Sequence, residues 1–257
     1  MKIKKLLLTA VLFFNSALLT FNSYAQTPNQ PGAGNCLSFN GTSNYVGNIG
    51  TTASYSFVHN TGIFTIESWI RLNSFVDHEN MLVGNTPTGV EKGFWFELFV
   101  SGGAVRLRVN IPNGTGSTII SDSPVGIITD TQWHHVLAVG NGVNITFYID
   151  GIAFVGSGTM GTFSTGPASR LLQIGDTYSV AFGVSGALNF NGQIDEVRIW
   201  NIALTQTQIR NNMCSKLIGN ELGLVGYWRF DETTGNTAFD SSPNGNNGTG
   251  FLRNDEL

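Results

Sequence analysis

Charged side chains are scarce in this sequence of 257 residues. Only 12 % of the residues are Asp, Glu, Lys or Arg, and 13 basic residues stand against 17 acidic ones. That charged share is about half of what soluble proteins usually carry. A protein that binds the phosphate backbone of nucleic acid presents a stripe of Lys and Arg, and this sequence has none. We therefore expect no nucleic-acid partner.

Histidine is also rare, with four residues in the chain. A transition-metal site needs three or four converging ligands. His134 and His135 are neighbours on one predicted strand, so their side chains should point to opposite faces. A Ser-His-Asp nucleophile system has residues available but is unsupported, because the sequence lacks the nucleophile-elbow motif. Neither zinc chemistry nor a catalytic triad is predicted.

Long apolar runs are missing except at the start of the chain. Three lysines lie among the first five residues, followed by a mostly apolar stretch at 6–21 and a small-residue cleavage site at 23–25. This order predicts a signal peptide over 1–25, with an apolar run too short for a stable membrane anchor. Residues 26–35 (QTPNQPGAGN) read as a linker. The mature protein is predicted to be secreted or displayed at the cell surface, without a membrane span.

Only two cysteines are present, Cys36 and Cys214. In an exported protein such a pair is expected to be oxidised, so we predict a disulfide between them. The alternative is two separate thiols.

Short segments of alternating polar and apolar residues fill most of the chain. They include 64–72 (FTIESWIRL), 94–100 (FWFELFV) and 105–109 (VRLRV), each followed by turn residues. Asp150-Gly151 is the strongest hairpin signal, because a type I′ turn needs positive φ at both central residues. About a dozen strands are predicted in this way, with no alternation of strands and helices.

One helix interrupts the strand pattern near the C-terminal end. It begins at Thr205, where Thr205 and Gln208 form a capping box, and an apolar stripe continues to Met213. We therefore predict an all-β fold, a two-sheet antiparallel jelly-roll sandwich with one short helix near the C-terminal end. The domain should span 36–230, and 231–257 should form a polar tail or the start of a following module.

Several segments together resemble one family. They are LSFNGTSNYV at 37–46, FTIESWIRL, WHHVLAVGNGVNITFYIDG at 133–151, the IGD at 174–176 and FNGQIDEVRIWN at 190–201. In this order and spacing they resemble the laminin-G-like jelly rolls of the concanavalin A-like lectin/glucanase superfamily. The resemblance covers about residues 36–230. It implies a non-catalytic module that binds sugars or proteins and often carries a disulfide.

Glycanases of the same superfamily place catalytic carboxylates at alternating positions of one strand. Asp195-Glu196 is the only candidate of that kind, but adjacent strand residues point to opposite faces. Retaining hydrolysis needs two carboxyls about 5–5.5 Å apart on one groove. We therefore predict no catalytic residues, and expect this pair to make structural hydrogen bonds.

A calcium site is implied by the resemblance to pentraxin jelly rolls. Those proteins bind calcium through oxygen ligands from two loops, and Asp77, Glu79, Asn80 and Asp176 are the matching positions here. The second loop departs from that pattern because it holds a single acid. The alternative is that these side chains are solvated or cap loops. A second possible cluster is Asp231-Glu232 with Asp240, and no other cofactor is predicted.

Ligand contacts are expected from aromatic side chains in predicted loops, because sugar rings stack on aromatic faces. The loop aromatics are Tyr55, Phe57, Phe75, Tyr178 and Phe182, and each of them could instead pack beneath its loop. The tryptophans, Trp95 among them, lie on predicted strands and are expected in the core or on a sheet face. Individual ligand-binding residues and the oligomeric state are not predicted.

Three functions remain open from the sequence. The first is a secreted or cell-surface recognition or adhesion module that binds carbohydrate or an extracellular protein. The second is a divergent glycoside hydrolase. The third is a structural spacer within a surface protein.

Overall fold

The computed structural model describes residues 34–75, 78–86, 91–161, 163–176 and 189–251. The predicted signal peptide at 1–25 and nearly all of the linker at 26–35 lie outside the described residues. Two short helices are present, α1 (Phe57–Thr61) and α2 (Gln206–Asn212). In chain order the strands are β1 (Leu37–Asn40), β2 (Tyr45–Ile49), β3 (Ile63–Leu72), β4 (His78–Gly84), β5 (Trp95–Ser101), β6 (Ala104–Pro112), β7 (Thr118–Asp122), β8 (His134–Asn141), β9 (Ile145–Ile149), β10 (Ile152–Val155), β11 (Leu172–Ile174), β12 (Asn191–Trp200), β13 (Leu224–Trp228), β14 (Thr237–Ala238) and β15 (Gly248–Phe251).

The strands form two antiparallel sheets. The first sheet has the order β1-β12-β3-β8-β9-β10, and β13 pairs with the second half of β12. The second sheet has the order β14-β15-β2-β11-β4-β5-β6-β7. This confirms the predicted all-β two-sheet sandwich, since the main apolar core lies between the two sheets. Among the described residues, neither helix is long or apolar enough to cross a lipid bilayer.

Strand alternation decides which side chains enter that core. On β5 the side chains of Phe96, Leu98 and Val100 are buried in this core, and the neighbouring strand β6 contributes Val105 and Leu107. The residues between them therefore point away from the core, on the outer face of the second sheet. The segments read as FWFELFV and VRLRV thus form two adjacent strands, as their alternation indicates.

Two local predictions are confirmed in detail. Asp150 and Gly151 have φ values of +51° and +74° and join β9 to β10, as a hairpin turn of the predicted type requires. Thr205 caps α2 with the full capping box, in which its side chain accepts from the Gln208 backbone N–H while the Gln208 side chain accepts from the Thr205 N–H. Sequence signals with a strict stereochemical cause were therefore reliable here.

The structure differs from the sequence-based expectation in two other places. Helix α1 was not predicted, because it is barely one turn long and ends at Gly62 in the left-handed conformation. The segment after residue 230 was expected to be a polar tail or the start of a further module. Instead, β15 pairs with β2 and β14 pairs with β15, so both strands extend the second sheet. Strand β15 is half glycine and has little apolar pattern.

Candidate functional site

The outer face of the first sheet is covered in its central part. Helix α2 lies on it, and its Ile209 is fully buried together with Leu204 against Leu137 and Tyr148. The helix is also tied to the β9–β10 turn, because Gln206 and Arg210 both donate to the Gly151 carbonyl. This part of the face is packed against protein.

Beneath α2 lies a buried network of charged side chains. Glu67 accepts a hydrogen bond from the Trp200 indole at 2.9 Å and lies 3.1 Å from His135. Burial alone would raise the pKa of Glu67, but the hydrogen bond from His135 and the Arg198 charge bring it below the usual value. Arg198 donates to the carbonyls of Asn212 and Ser215, which lie at and after the end of α2. The network fastens the helix to the sheet.

Asp195 and Glu196 belong to this covered region, and the sequence-based reason for rejecting them needs correction. Glu196 has φ of +53° at a register shift between β12 and β3, so the strand bulges there. The bulge turns Glu196 to the same outer face as Asp195. Glu196 accepts hydrogen bonds from Arg198 and from the Tyr227 hydroxyl, and Asp195 accepts from the Glu196 backbone N–H. Both carboxyls are buried and make hydrogen bonds within the protein, and the absence of a catalytic role stays a prediction.

The outer face of the second sheet is different in character. Half-exposed aromatic and charged side chains alternate with buried polar ones on its strands β4 to β7. We call this surface the polar face. Its residues are Glu79, Met81, Trp95, Glu97, Phe99, Arg106, Arg108, Asn110, Ile120 and Asp122, so two apolar side chains lie among the polar and aromatic ones.

Two arginines are held side by side on the polar face. The Arg108 guanidinium lies 4.1 Å from the centre of the Phe99 ring, and that of Arg106 lies 5.5 Å from it. Asp122 bonds both of them, through Arg108 Nε at 2.6 Å and Arg106 Nη1 at 3.3 Å. A ring and a carboxylate therefore fix the guanidinium planes in advance of any ligand.

Glu97 lies at the centre of the polar face and is only 1 % exposed. Asn110 Nδ2 donates to its Oε1 at 3.1 Å, whereas Oε2 makes no well-formed hydrogen bond with any described residue. Burial, and then the charge of Glu79, raise the pKa of Glu97 to about 8. Arg108 Nη1 lies 3.9 Å from the carboxyl and opposes that rise. This pKa favours the protonated form of Glu97 at neutral pH.

A family model of the concanavalin A-like lectin/glucanases superfamily, Laminin_G_3, matches residues 39–210. The chain belongs to this superfamily. The match confirms the resemblance read from the sequence motifs. A search of curated proteins finds no significant relative.

Solved structures share the superfamily fold with this chain. A protein of Bacteroides ovatus described as a candidate carbohydrate-binding protein is 22 % identical, with a TM-score of 0.58, over 84 % of this chain and 57 % of its own. The chain thus matches little more than half the length of that protein. The CBM40 of the Ruminococcus gnavus IT-sialidase, bound to α2,3 sialyllactose, is 13 % identical with a TM-score of 0.50, over 69 % and 97 % of the two chains.

Of the four residues predicted to bind calcium, the structure describes three, Glu79, Asn80 and Asp176. Asp77 lies outside the described residues. Glu79 and Asn80 point to opposite sides of β4, because Glu79 is on the polar face and Asn80 Oδ1 accepts from the Asn191 N–H at 3.2 Å. Asp176 is buried at the end of β11. No cluster of three or more acidic, His or Cys side chains suited to a metal occurs among the described residues, and the calcium site stays a prediction.

The predicted disulfide is not formed in the structure. Cys36 and Cys214 are both free thiols, the first half-buried and the second exposed. Burial, and then the nearby Asp195 charge, raise the pKa of Cys36 to about 11, which disfavours the reactive thiolate. The two segments do share one side of the first sheet, because Leu37 pairs with Ile194 and the Trp69 indole donates to the Met213 carbonyl. A disulfide between Cys36 and Cys214 in the oxidised protein stays a prediction.

The histidines have structural contacts. The ring of His135 lies 5.4 Å from that of Trp69 and is tilted by 45° to it, whereas His134 bonds Asp150 at 2.8 Å and Asp130 at 3.1 Å. The hydrogen bond to Asp150 is the main cause that raises the pKa of His134. These bonds join the loop before β8 to the β9–β10 turn.

The remaining candidates also prove structural where they are described. Tyr55 is buried, and Phe57 and Phe75 pack against the core, while Tyr178 and Phe182 lie outside the described residues. Asp231, Glu232 and Asp240 do not converge. Asp231 pairs with Lys216, Glu232 accepts from the Phe239 N–H and Asp240 closes the loop at 240–246.

The polar face was missed because its residues lie on strands rather than in loops. Its signal was the alternation of Arg106 and Arg108 with apolar residues, and of Trp95, Glu97 and Phe99 with core residues. Alternation alone does not tell which strands lie side by side, so the joint surface became visible only with the sheet order.

Proposed function

We propose that this chain is an exported, non-catalytic module that binds carbohydrate on the polar face. The observation that carries the proposal is the contrast between the two sheets. One outer face has a helix and an apolar cluster packed on its central part, and the other presents half-exposed rings beside fixed polar groups. Rings that stack on sugar faces, flanked by groups that bond hydroxyls, are the usual means of binding carbohydrate.

Membership of the superfamily and the descriptions of similar structures support the same proposal. The Bacteroides ovatus protein is described as carbohydrate-binding, and the CBM40 was solved with a sialylated sugar. These likenesses show a shared fold, so the argument that the ligand is a carbohydrate rests on the residues of the polar face. Export is supported by the predicted signal peptide at 1–25.

A glycan array tests the proposal, with the wild type compared with Trp95→Ala. Trp95 is the half-exposed ring on β5, opposite Asn110. We expect defined glycans to bind the wild type and at least tenfold weaker binding by the variant, about 1.4 kcal/mol or more, as for loss of one stacked ring. Phe239→Ala is the matched control, because Phe239 is 55 % exposed and lies beside β14, at the opposite edge of the second sheet from β7.

The array separates recognition from the spacer function. Binding that survives Trp95→Ala unchanged would move the site away from the polar face. An array without any bound glycan, with matrix proteins also negative, would favour a structural spacer.

A glycoside hydrolase is the second candidate because Glu79 and Glu97 share the polar face. Two carboxyls on one face, one of them with a raised pKa, are the arrangement that an acid and a nucleophile need. Against it, Glu97 is almost fully buried and Arg108 lies near it. Release of reducing ends from a bound glycan, abolished by Glu97→Gln, would establish hydrolysis. Binding without such release supports the module.

A further inference from the structure

We infer that the polar face selects a sugar that carries a carboxylate, with Arg106 and Arg108 as the groups that bind the anion. The inference rests on the proposed function, since it names the ligand class of the same face. Neutral sugars would satisfy the aromatic part of this surface. The two positive arginine side chains favour a ligand that also carries a negative charge.

The two guanidiniums have hydrogen-bond donors to spare. Asp122 takes only three of their N–H groups. Arg106 Nε is itself buried, so the donors open to a ligand are the Nη N–H groups that Asp122 leaves free. Arg108 Nη1 lies 3.9 Å from Glu97, which is ion-pair distance only. Side-chain relative exposures of 27 % for Arg106 and 19 % for Arg108 leave both reachable. An arginine fork binds a carboxylate through two parallel hydrogen bonds, so a uronic acid or a similar sugar fits.

The charges around the pair decide whether an anion is tolerated. Facing it are Asp122 on β7, Glu97 on β5 and Glu79 on β4, while β6 carries the two arginines themselves. Glu97 is buried and its pKa is raised to about 8, which favours its neutral form at pH 7. Two positive side chains then face two negative ones. An incoming carboxylate meets no net negative charge, although the whole chain has a formal charge of −4.

This balance makes binding depend on pH in one direction. Above pH 8 Glu97 ionises beside Arg108, and the face gains one negative charge. An acidic sugar should then bind roughly three- to tenfold more weakly, given the size of a screened interaction between nearby charges. Glu97→Gln keeps a neutral side chain of the same shape, so it should remove this pH dependence.

Affinity electrophoresis with matched polysaccharides tests the inference. The acidic probes are polygalacturonate, alginate and hyaluronan, and the neutral ones are galactan and mannan. The variants are Arg106→Gln, Arg106→Lys and Arg108→Gln, with Arg71→Gln on the first sheet as the control. Thermal unfolding of each variant confirms that it is folded, and Arg106→Gln carries the test should Arg108→Gln fail to fold.

We expect an acidic probe to retard the wild type and Arg71→Gln, with at least tenfold weaker binding by the Gln variants at Arg106 and Arg108 and partial binding by Arg106→Lys. Equal or exclusive retardation by neutral probes would overturn the inference and leave the proposed function standing. If none of the probes retards the wild type, both the acidic-sugar inference and the proposed carbohydrate binding are contradicted. Acidic binding that is unchanged between about pH 6.5 and about pH 9.5, which bracket the pKa of about 8, would overturn the role given to Glu97.

Discussion

Replacing Glu97 by Gln should stabilise the protein at high pH and leave it nearly unchanged at low pH. In the unfolded chain this carboxyl loses its proton near pH 4.5, and in the folded protein only near pH 8. Below pH 4.5 both states are protonated and burial of the group has no pH-dependent cost. As the pH rises from 4.5 to 8, the unfolded state gains the ionised form first, so the free energy of unfolding falls.

The magnitude follows from the difference between the two pKa values. A shift from 4.5 to about 8 corresponds to a ceiling of about 5 kcal/mol at about 1.4 kcal/mol per pKa unit. Rearrangement of neighbours and entry of water reduce such penalties in real proteins. We expect Glu97→Gln to be more stable than the wild type by about 2–3 kcal/mol above pH 8, and equal to it within about 0.5 kcal/mol near pH 4.5.

Urea unfolding of both proteins across this pH range gives the free energies directly. Glu91→Gln is the matched control. The hydrogen bond from Arg170 is the main cause that lowers the pKa of Glu91, so this variant should gain no stability at high pH. A constant difference between Glu97→Gln and the wild type at all pH values would refute the reasoning. It would mean that Glu97 is ionised in the folded protein at neutral pH.

Three further changes have expected outcomes. His134→Gln should lower the free energy of unfolding most below about pH 6.5, because the charged imidazole of His134 pairs with two carboxylates. The loss should shrink as the pH rises through the raised pKa of His134. A loss that does not vary with pH would contradict this. Thr205→Ala should lower the free energy of unfolding by about 1 kcal/mol in urea, and an unchanged midpoint would show that the cap is dispensable. Intact protein recovered from an oxidising compartment should gain two hydrogens in mass on reduction, whereas an unchanged mass would rule out the bridge between Cys36 and Cys214.

The parts of the fold that could be predicted have local causes. Asp150-Gly151 takes positive φ at both positions, and Thr205 satisfies the end of α2 with its own side chain. Period-two alternation on β5 and β6 likewise showed which residues enter the core. Each of these signals acts within a few residues, so one sequence suffices to read it.

The parts that were missed depend on distant contacts. The bulge at Glu196 reverses the alternation of β12, and one of its two buried partners, Tyr227, lies 31 residues further along the chain on β13. Strands β14 and β15 have little apolar pattern of their own, since they extend a sheet edge provided by β2. The polar face arises only when β4 to β7 lie side by side. Functional residues on a sheet face are therefore harder to recognise than residues in a short motif.

The central claim is that ligand binds on the polar face rather than on the loops or under α2. An NMR titration of labelled protein with the strongest glycan from the array tests it most directly. We predict that chemical-shift changes concentrate on the Trp95 indole, the Arg106 and Arg108 side chains and the amides of β5 to β7. Changes confined to the segments around α2 and the β9–β10 turn would contradict the account.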